Sequence, residues 1–151
     1  MKSILDRVIK YRTGYQYYNE YYSGEITSKL NDFQNINVEK AKVGLIIKTK
    51  SNLEIPLSAK FIDGHYYLAK LNFNEINRFG NIYFKYGVLQ SKKIVDDQAY
   101  LIFKANNIDS LKLNIESNDV LDYKINLRHL LIIDITKMNL LKEDIPYLPF
   151  I

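Results

Sequence analysis

Residues 51–73 read SNLEIPLSAKFIDGHYYLAKLNF, and this stretch decides the fold class. Leu53, Ile55, Leu57, Ala59 and Phe61 alternate with Glu54, Pro56, Ser58 and Lys60, the period-two spacing of a strand with one buried face. Beyond Asp63-Gly64, Tyr67, Ala69, Leu71 and Phe73 alternate with Tyr66, Leu68, Lys70 and Asn72. A two-residue Asp-Gly turn would set Leu57 opposite Lys70 and mix the faces. A three-residue loop, Ile62-Asp63-Gly64 with Gly64 left-handed, pairs Phe61 with His65, Leu57 with Ala69 and Leu53 with Phe73. That register keeps the apolar residues on one face, so we expect a bulged hairpin. Pro56 has no N–H to give a ladder, which places the first strand at a sheet edge or leaves Pro56 unpaired.

The same spacing recurs on both sides. Val43, Leu45 and Ile47 make a strand ahead of the hairpin. Behind it come Ile82 to Val88, Ala99 to Ala105, Leu111 to Ile115 and Leu121 to Leu127, each alternating. Leu130 to Ile133 run without alternation, as a strand covered on both faces does. About seven short strands with turns between them predict an antiparallel β-sandwich or a barrel.

Before residue 35 the period changes. Ile4, Val8, Tyr11, Tyr15, Tyr18 and Tyr22 repeat at steps of four and three, a helical stripe that Ser3 can cap and Gly24 can stop. Ile26, Leu30 and Phe33 suggest one more helical turn. The chain thus reads as α+β, mostly β, within one domain. A Tyr-rich helical segment spans 1–34, the β domain 35–144, and an apolar tail, IPYLPFI, spans 145–151. Its two prolines are expected to keep the tail out of any helix or central strand, so it must lie on an apolar groove, its own or a partner's.

Composition narrows the functions. With no Cys, thiolate chemistry, cysteine-ligated zinc and disulfides are excluded. No apolar run is long enough to span a membrane, and Asp6 and Arg7 interrupt the first apolar stretch, so neither a membrane anchor nor a signal peptide is expected. A cytoplasmic location is expected. The net charge of +4 invites a polyanionic partner, but Lys, Asn, Ile and Tyr, all with A/T-rich codons, make up 65 of the 151 residues. Coding bias accounts for much of the lysine, and only four Arg are present for bidentate base contacts.

Reactive groups are sparse. His65 reads as a solvated residue beside the Asp63-Gly64 turn, and His129 as a hydrogen-bonded histidine within a strand, alternating with Leu127 and Leu131. They lie 64 positions apart and match no metal-ligand spacing. Asp134, after Leu131-Ile132-Ile133, reads as the outward residue of a strand end. No phosphate-cradling glycine loop and no nucleophile elbow occurs. Neither catalytic residues, nor a metal, nor a cofactor are expected.

The unusual feature is tyrosine: YRTGYQYYNEYY holds six of the thirteen within twelve positions. Tyr17 and Tyr21 fall off the helical stripe, and surplus tyrosine at a surface suits protein interfaces. With Tyr147, Leu148, Phe150 and Ile151 of the tail, they are the expected partner contacts. Deleting 145–151 should then weaken assembly and leave the domain folded.

Residues 43–105 resemble the small immunoglobulin-like modules of tailed-bacteriophage virion proteins. The resembling pieces are LEIPLSAKFIDGHYYLAKLNF, NEINRFGNIYFKYGV and DQAYLIFKA: a turn, a loop ending in Gly and an aromatic-alternating strand in succession. The resemblance implies a non-catalytic assembly part of a tail, neck or baseplate, built into a homo-oligomer or onto other virion proteins. Two other readings fit the sequence. One is a single-stranded nucleic-acid binder on an OB-like barrel using tyrosine and lysine; the other is a small immunity or inhibitor protein that masks a partner.

Overall fold

Leu53, Ile55 and Leu57 are buried, and so are Tyr67, Ala69, Leu71 and Phe73, yet the strands that carry them do not pair. The structure, a computed structural model, describes residues 36–57, 60–95, 97–118 and 121–148. Ten strands are described: β1 (Ile36–Lys40), β2 (Leu45–Thr49), β3 (Leu53–Pro56), β4 (Tyr66–Glu75), β5 (Gly80–Tyr86), β6 (Leu89–Gln90), β7 (Lys92–Val95), β8 (Gln98–Lys104), β9 (Leu111–Ser117) and β10 (Tyr123–Asp134). They form two antiparallel sheets, one ordered β1-β2-β10-β4-β8-β7 and the other β3-β9-β5-β6. The expected hairpin is therefore replaced by a crossover, in which β3 pairs with β9 and β4 with β8 and β10. Gly64 does turn left-handed, at φ 85°, with the His65 N–H donating to the Ile62 carbonyl at 3.1 Å. The turn swings the chain from one sheet to the other. Strands that face one another across a sandwich show the same alternation as strands that pair side by side.

Omitting the edge strands β1 and β7, the order is β2-β10-β4-β8 against β3-β9-β5-β6. Chain neighbours repeatedly change sheet, and only β5 and β6 form a hairpin within the second one. This is the double Greek key of a jelly roll. The expected sandwich is present, and because the sheets are separate it is not a barrel. Pro56 sits on an edge strand, as its missing N–H requires.

The main core lies between the sheets, with Phe103 stacked on Tyr86 at 4.2 Å and on Tyr67 at 5.8 Å. β10 contributes to two cores because of a bulge. Tyr123, Ile125 and Leu127 face the main core, the register slips between Leu127 and His129, and thereafter Leu130 and Ile132 face it. Leu131 and Ile133 point to the outer face, where Leu68, Ile145 and Leu148 join them in a second cluster. The unalternating run is thus covered on both sides, while His129 shares a face with Leu131 and not with Leu127.

The outer cover comes from the chain after β10, closed by a 3-10 helix, Lys142–Tyr147. Pro146 lies inside this helix, contrary to the expectation that proline would exclude one. A 3-10 turn this short loses only one donor to proline, and the Leu148 N–H still bonds the Ile145 carbonyl. Three further expectations fail at strand ends, the first at Val43, which precedes β2 and is exposed. Val88 lies beyond β5 and is 95% exposed, because Gly87 at φ 60° begins a turn, and Leu121 precedes β10 and is exposed. The N-terminal helix and the Ile26–Phe33 turn fall outside the described residues.

Candidate interaction surface

Strand register gathers several loops at one end of the sandwich. Tyr66 is opposite Lys104, Tyr67 opposite Asp134, and Tyr86 opposite Leu111. The stretch after β3, the Gly87 turn, the β8–β9 loop and the residues after β10 therefore share this end. Hydrogen bonds tie them together: the Leu57 N–H donates to the Leu111 carbonyl at 3.0 Å, and the Gly64 N–H to the Ala105 carbonyl at 2.8 Å.

The β8–β9 loop, Asn106-Asn107-Ile108-Asp109-Ser110, is held firmly. The Asn106 side-chain oxygen accepts from the N–H groups of Ile108 (2.9 Å) and Asp109 (2.7 Å), and its amide donates to the Asp109 carboxylate at 2.9 Å. The Asn106 N–H donates to the Tyr86 hydroxyl at 2.9 Å, which anchors the loop to the core. This frame holds Ile108 out at 88% exposure. Gly87 packs so closely on Asp109 that a Cβ there would sit 2.9 Å from the carboxylate, which brings the Val88 turn alongside. Leu89, Ile62 and Tyr66 are exposed at the same end, with the Lys104 ammonium 5.9 Å from the Tyr66 ring centre.

Between the two loops lies a cleft of about 190 Å³ lined by Lys85, Gly87, Ile108, Asp109, Ser110 and Lys112. Lys85 and Lys112 are direct cross-strand partners, a like-charge pairing that opposes folding. Lys112 is balanced by Glu54 at 2.8 Å, and that contact, ahead of Lys85, holds the Glu54 carboxyl below its usual range. Lys85 makes no ion pair among the described residues. Farther along the same sheet face, the Tyr83 hydroxyl donates to Glu116 at 2.6 Å, which pushes its pKa up.

His65 is not the solvated turn residue expected. Its Nδ1 lies 2.7 Å from the Asp134 carboxylate, which also accepts from the Thr136 hydroxyl at 2.6 Å and the Thr136 N–H at 2.9 Å. Burial pushes the Asp134 pKa up, but the Thr136 and His65 hydrogen bonds outweigh it and hold the carboxyl below its ordinary value. His129 stays five positions back along β10, its pKa lowered by burial and then by Arg128. Among the described residues, no group of three or more His, Asp or Glu is placed to hold a metal ion, and no helix is long and apolar enough to cross a membrane.

Of the expected contact residues, Tyr147 is exposed, whereas Leu148 is buried in the second cluster and is not available to a partner. Tyr17, Tyr21, Phe150 and Ile151 lie outside the described residues. Val88 and Ile108 escaped the sequence reading. Val88 falls in phase with β5, so it reads as core. Ile108 had a usable signal, a lone large apolar residue within the polar run Asn106–Ser110. No family model matches the chain, and no curated protein or solved structure matches it either.

Proposed function

We propose that this chain is a non-enzymatic structural or adaptor protein that acts through protein–protein contact, with the loop end as its contact surface. The carrying observation is Ile108, 88% exposed on a loop fixed by three hydrogen bonds to Asn106 and one to Tyr86. A large apolar side chain held rigidly in water loses little conformational entropy when a partner covers it, which is how interface anchors work. Val88 beside it extends the apolar surface. Assignment to a phage tail, neck or baseplate rests on the sequence resemblance over residues 43–105 alone, since the strand order is that of a jelly roll and not of an immunoglobulin sandwich.

A photocrosslinking amino acid placed at Ile108 in the full chain, expressed in its native cells, tests the reading. Discrete adducts with one or a few proteins, absent when the probe replaces Lys50 at the opposite end, are expected. Adducts that are absent, or the same from both positions, overturn it.

A further inference from the structure

We infer that the cleft between the Gly87 turn and the Asn106–Ser110 loop binds a carboxylate side chain from an acidic, apolar-flanked segment of a partner protein, with Lys85 as the anchoring cation. The inference rests on the adaptor reading and specifies its partner.

The argument begins with charge. Lys85 and Lys112 stand opposite one another on adjacent strands, where like charges disfavour the fold. Glu54 bonds Lys112 at 2.8 Å and attracts Lys85 only at longer range, and among the described residues no carboxylate pairs directly with Lys85. The other acid at the cleft, Asp109, is engaged by the Asn106 amide at 2.9 Å and fixes the loop. Lys85 thus lines a concave site without a carboxylate in hydrogen-bond contact among the described residues. A carboxylate bound there would relieve the Lys85–Lys112 repulsion, so occupancy stabilises both protein and complex. Ser110 adds a hydroxyl donor to the lining.

The rim sets the rest of the partner. Ile108 borders the cleft, and Val88 follows Gly87, which lines it. Both are almost wholly exposed. A segment that places its acid over Lys85 must pass these side chains, and apolar neighbours gain by covering them. Nucleic acid fits less well, since it would leave the apolar rim of Ile108 and Val88 in water.

Fluorescence anisotropy on the full chain tests this with four probes: a short synthetic peptide pool of Asp/Glu with Leu/Ile/Phe, the same pool with Lys in place of the acids, the same with Ser in place of the apolar residues, and an oligo-dT strand. The acidic–apolar pool should bind best, and binding should weaken as salt is raised. Lys85→Glu should weaken it about tenfold. The new carboxylate faces Lys112, an opposite-charge pairing that preserves the fold, and Lys85→Met should weaken it without reversing the charge. Lys50→Glu, the same charge change at the opposite end, should have no effect. Binding that is absent, no better than the basic pool or oligo-dT, or indifferent to Lys85→Glu overturns the inference. If Ile108 crosslinks persist under Lys85→Glu, the adaptor reading stands and this inference falls. Loss of both peptide binding and Ile108 crosslinks under Lys85→Glu supports the inference, and absence of crosslinks in the wild type removes the adaptor reading itself.

Discussion

The Lys70 ammonium donates to the carbonyl oxygen of Leu148 at 2.8 Å, and to that of Pro146 at 3.2 Å. Lys70 lies mid-strand on β4, opposite Leu131 of β10 and Tyr100 of β8, on the sheet face turned away from the main core. That face would be solvated in a two-layer sandwich. Here the segment after β10 folds back over it, buries Leu68, Leu131 and Ile133, and leaves Lys70 with no exposure. A third layer is therefore fastened by a cation to main-chain carbonyls.

Burial pushes Lys70 down from its ordinary 10.5 to about 8. Between these values the unfolded chain binds the proton and the folded one does not, so stability rises with pH across that window. The cost of burying the charge is present in full below about pH 8 and is relieved towards 10.5, a span worth about 3 kcal/mol. Urea melts of the wild type and Lys70→Met from about pH 8 to about pH 10 should show the gain in the wild type and lose it in the variant. Tyr123, whose pKa burial raises, opposes the gain at the alkaline limit in both proteins equally.

The tail residues now carry a revised expectation. Ile145 and Leu148 are buried, at 0% and 2% exposure, so removing 145–151 strips the cover from the second cluster and the acceptors from Lys70. The domain should lose stability, where the sequence alone suggests only that it stays folded and assembles less well. Ile145→Ala and Leu148→Ala should each cost about 2–4 kcal/mol in denaturant melts, whereas Tyr147→Ala, at an exposed position, should change stability by less than about 0.5 kcal/mol.

Two glycines separate strain from space. A methyl group on Gly80 would collide with the Glu116 carbonyl oxygen and the Tyr123 ring, the first of which is backbone and cannot rotate away. At Gly64 nothing lies within 4 Å and only φ 85° resists substitution. Gly64→Ala should cost about 1–2 kcal/mol, and Gly80→Ala should cost clearly more, up to loss of soluble protein. Thermal melts of the pair, side by side, check the order.

Much of this was legible and some was not, for physical reasons. Alternation reports which side chains share a face, so the alternating residues of Leu53–Leu57, Tyr67–Phe73, Ile82–Tyr86 and Ala99–Ala105 all read as core. It does not report the neighbour, because β3 facing β4 across the core repeats the pattern of β3 paired with β4. The bulge at Arg128 has no signature in residue type, so the reversal of faces along β10 stayed hidden. Ile36 and Val38 of β1 are only partly buried, separated by Asn37 and followed by Glu39 and Lys40, too short a pattern to declare a strand. The His65–Asp134 contact joins residues 69 positions apart through β4 and β10 register, which neither residue's local sequence encodes.

That contact yields a prediction on the acid side. Asp134 titrates below its ordinary 3.8 in the folded state, because the Thr136 and His65 hydrogen bonds outweigh the opposing effect of burial. A carboxylate held below its unfolded value contributes stability that is present above about pH 4 and is lost as pH falls through the folded value. Asp134→Asn keeps the shape, lets Thr136 find an oxygen, and removes the charge beside the imidazole. It should lower stability near neutral pH by about 1 kcal/mol and flatten the decline between about pH 5 and pH 3. His65→Ala should flatten it in part, since Thr136 still donates. Urea melts across that range, with unchanged slopes in both variants, would show that the pair contributes nothing to folding.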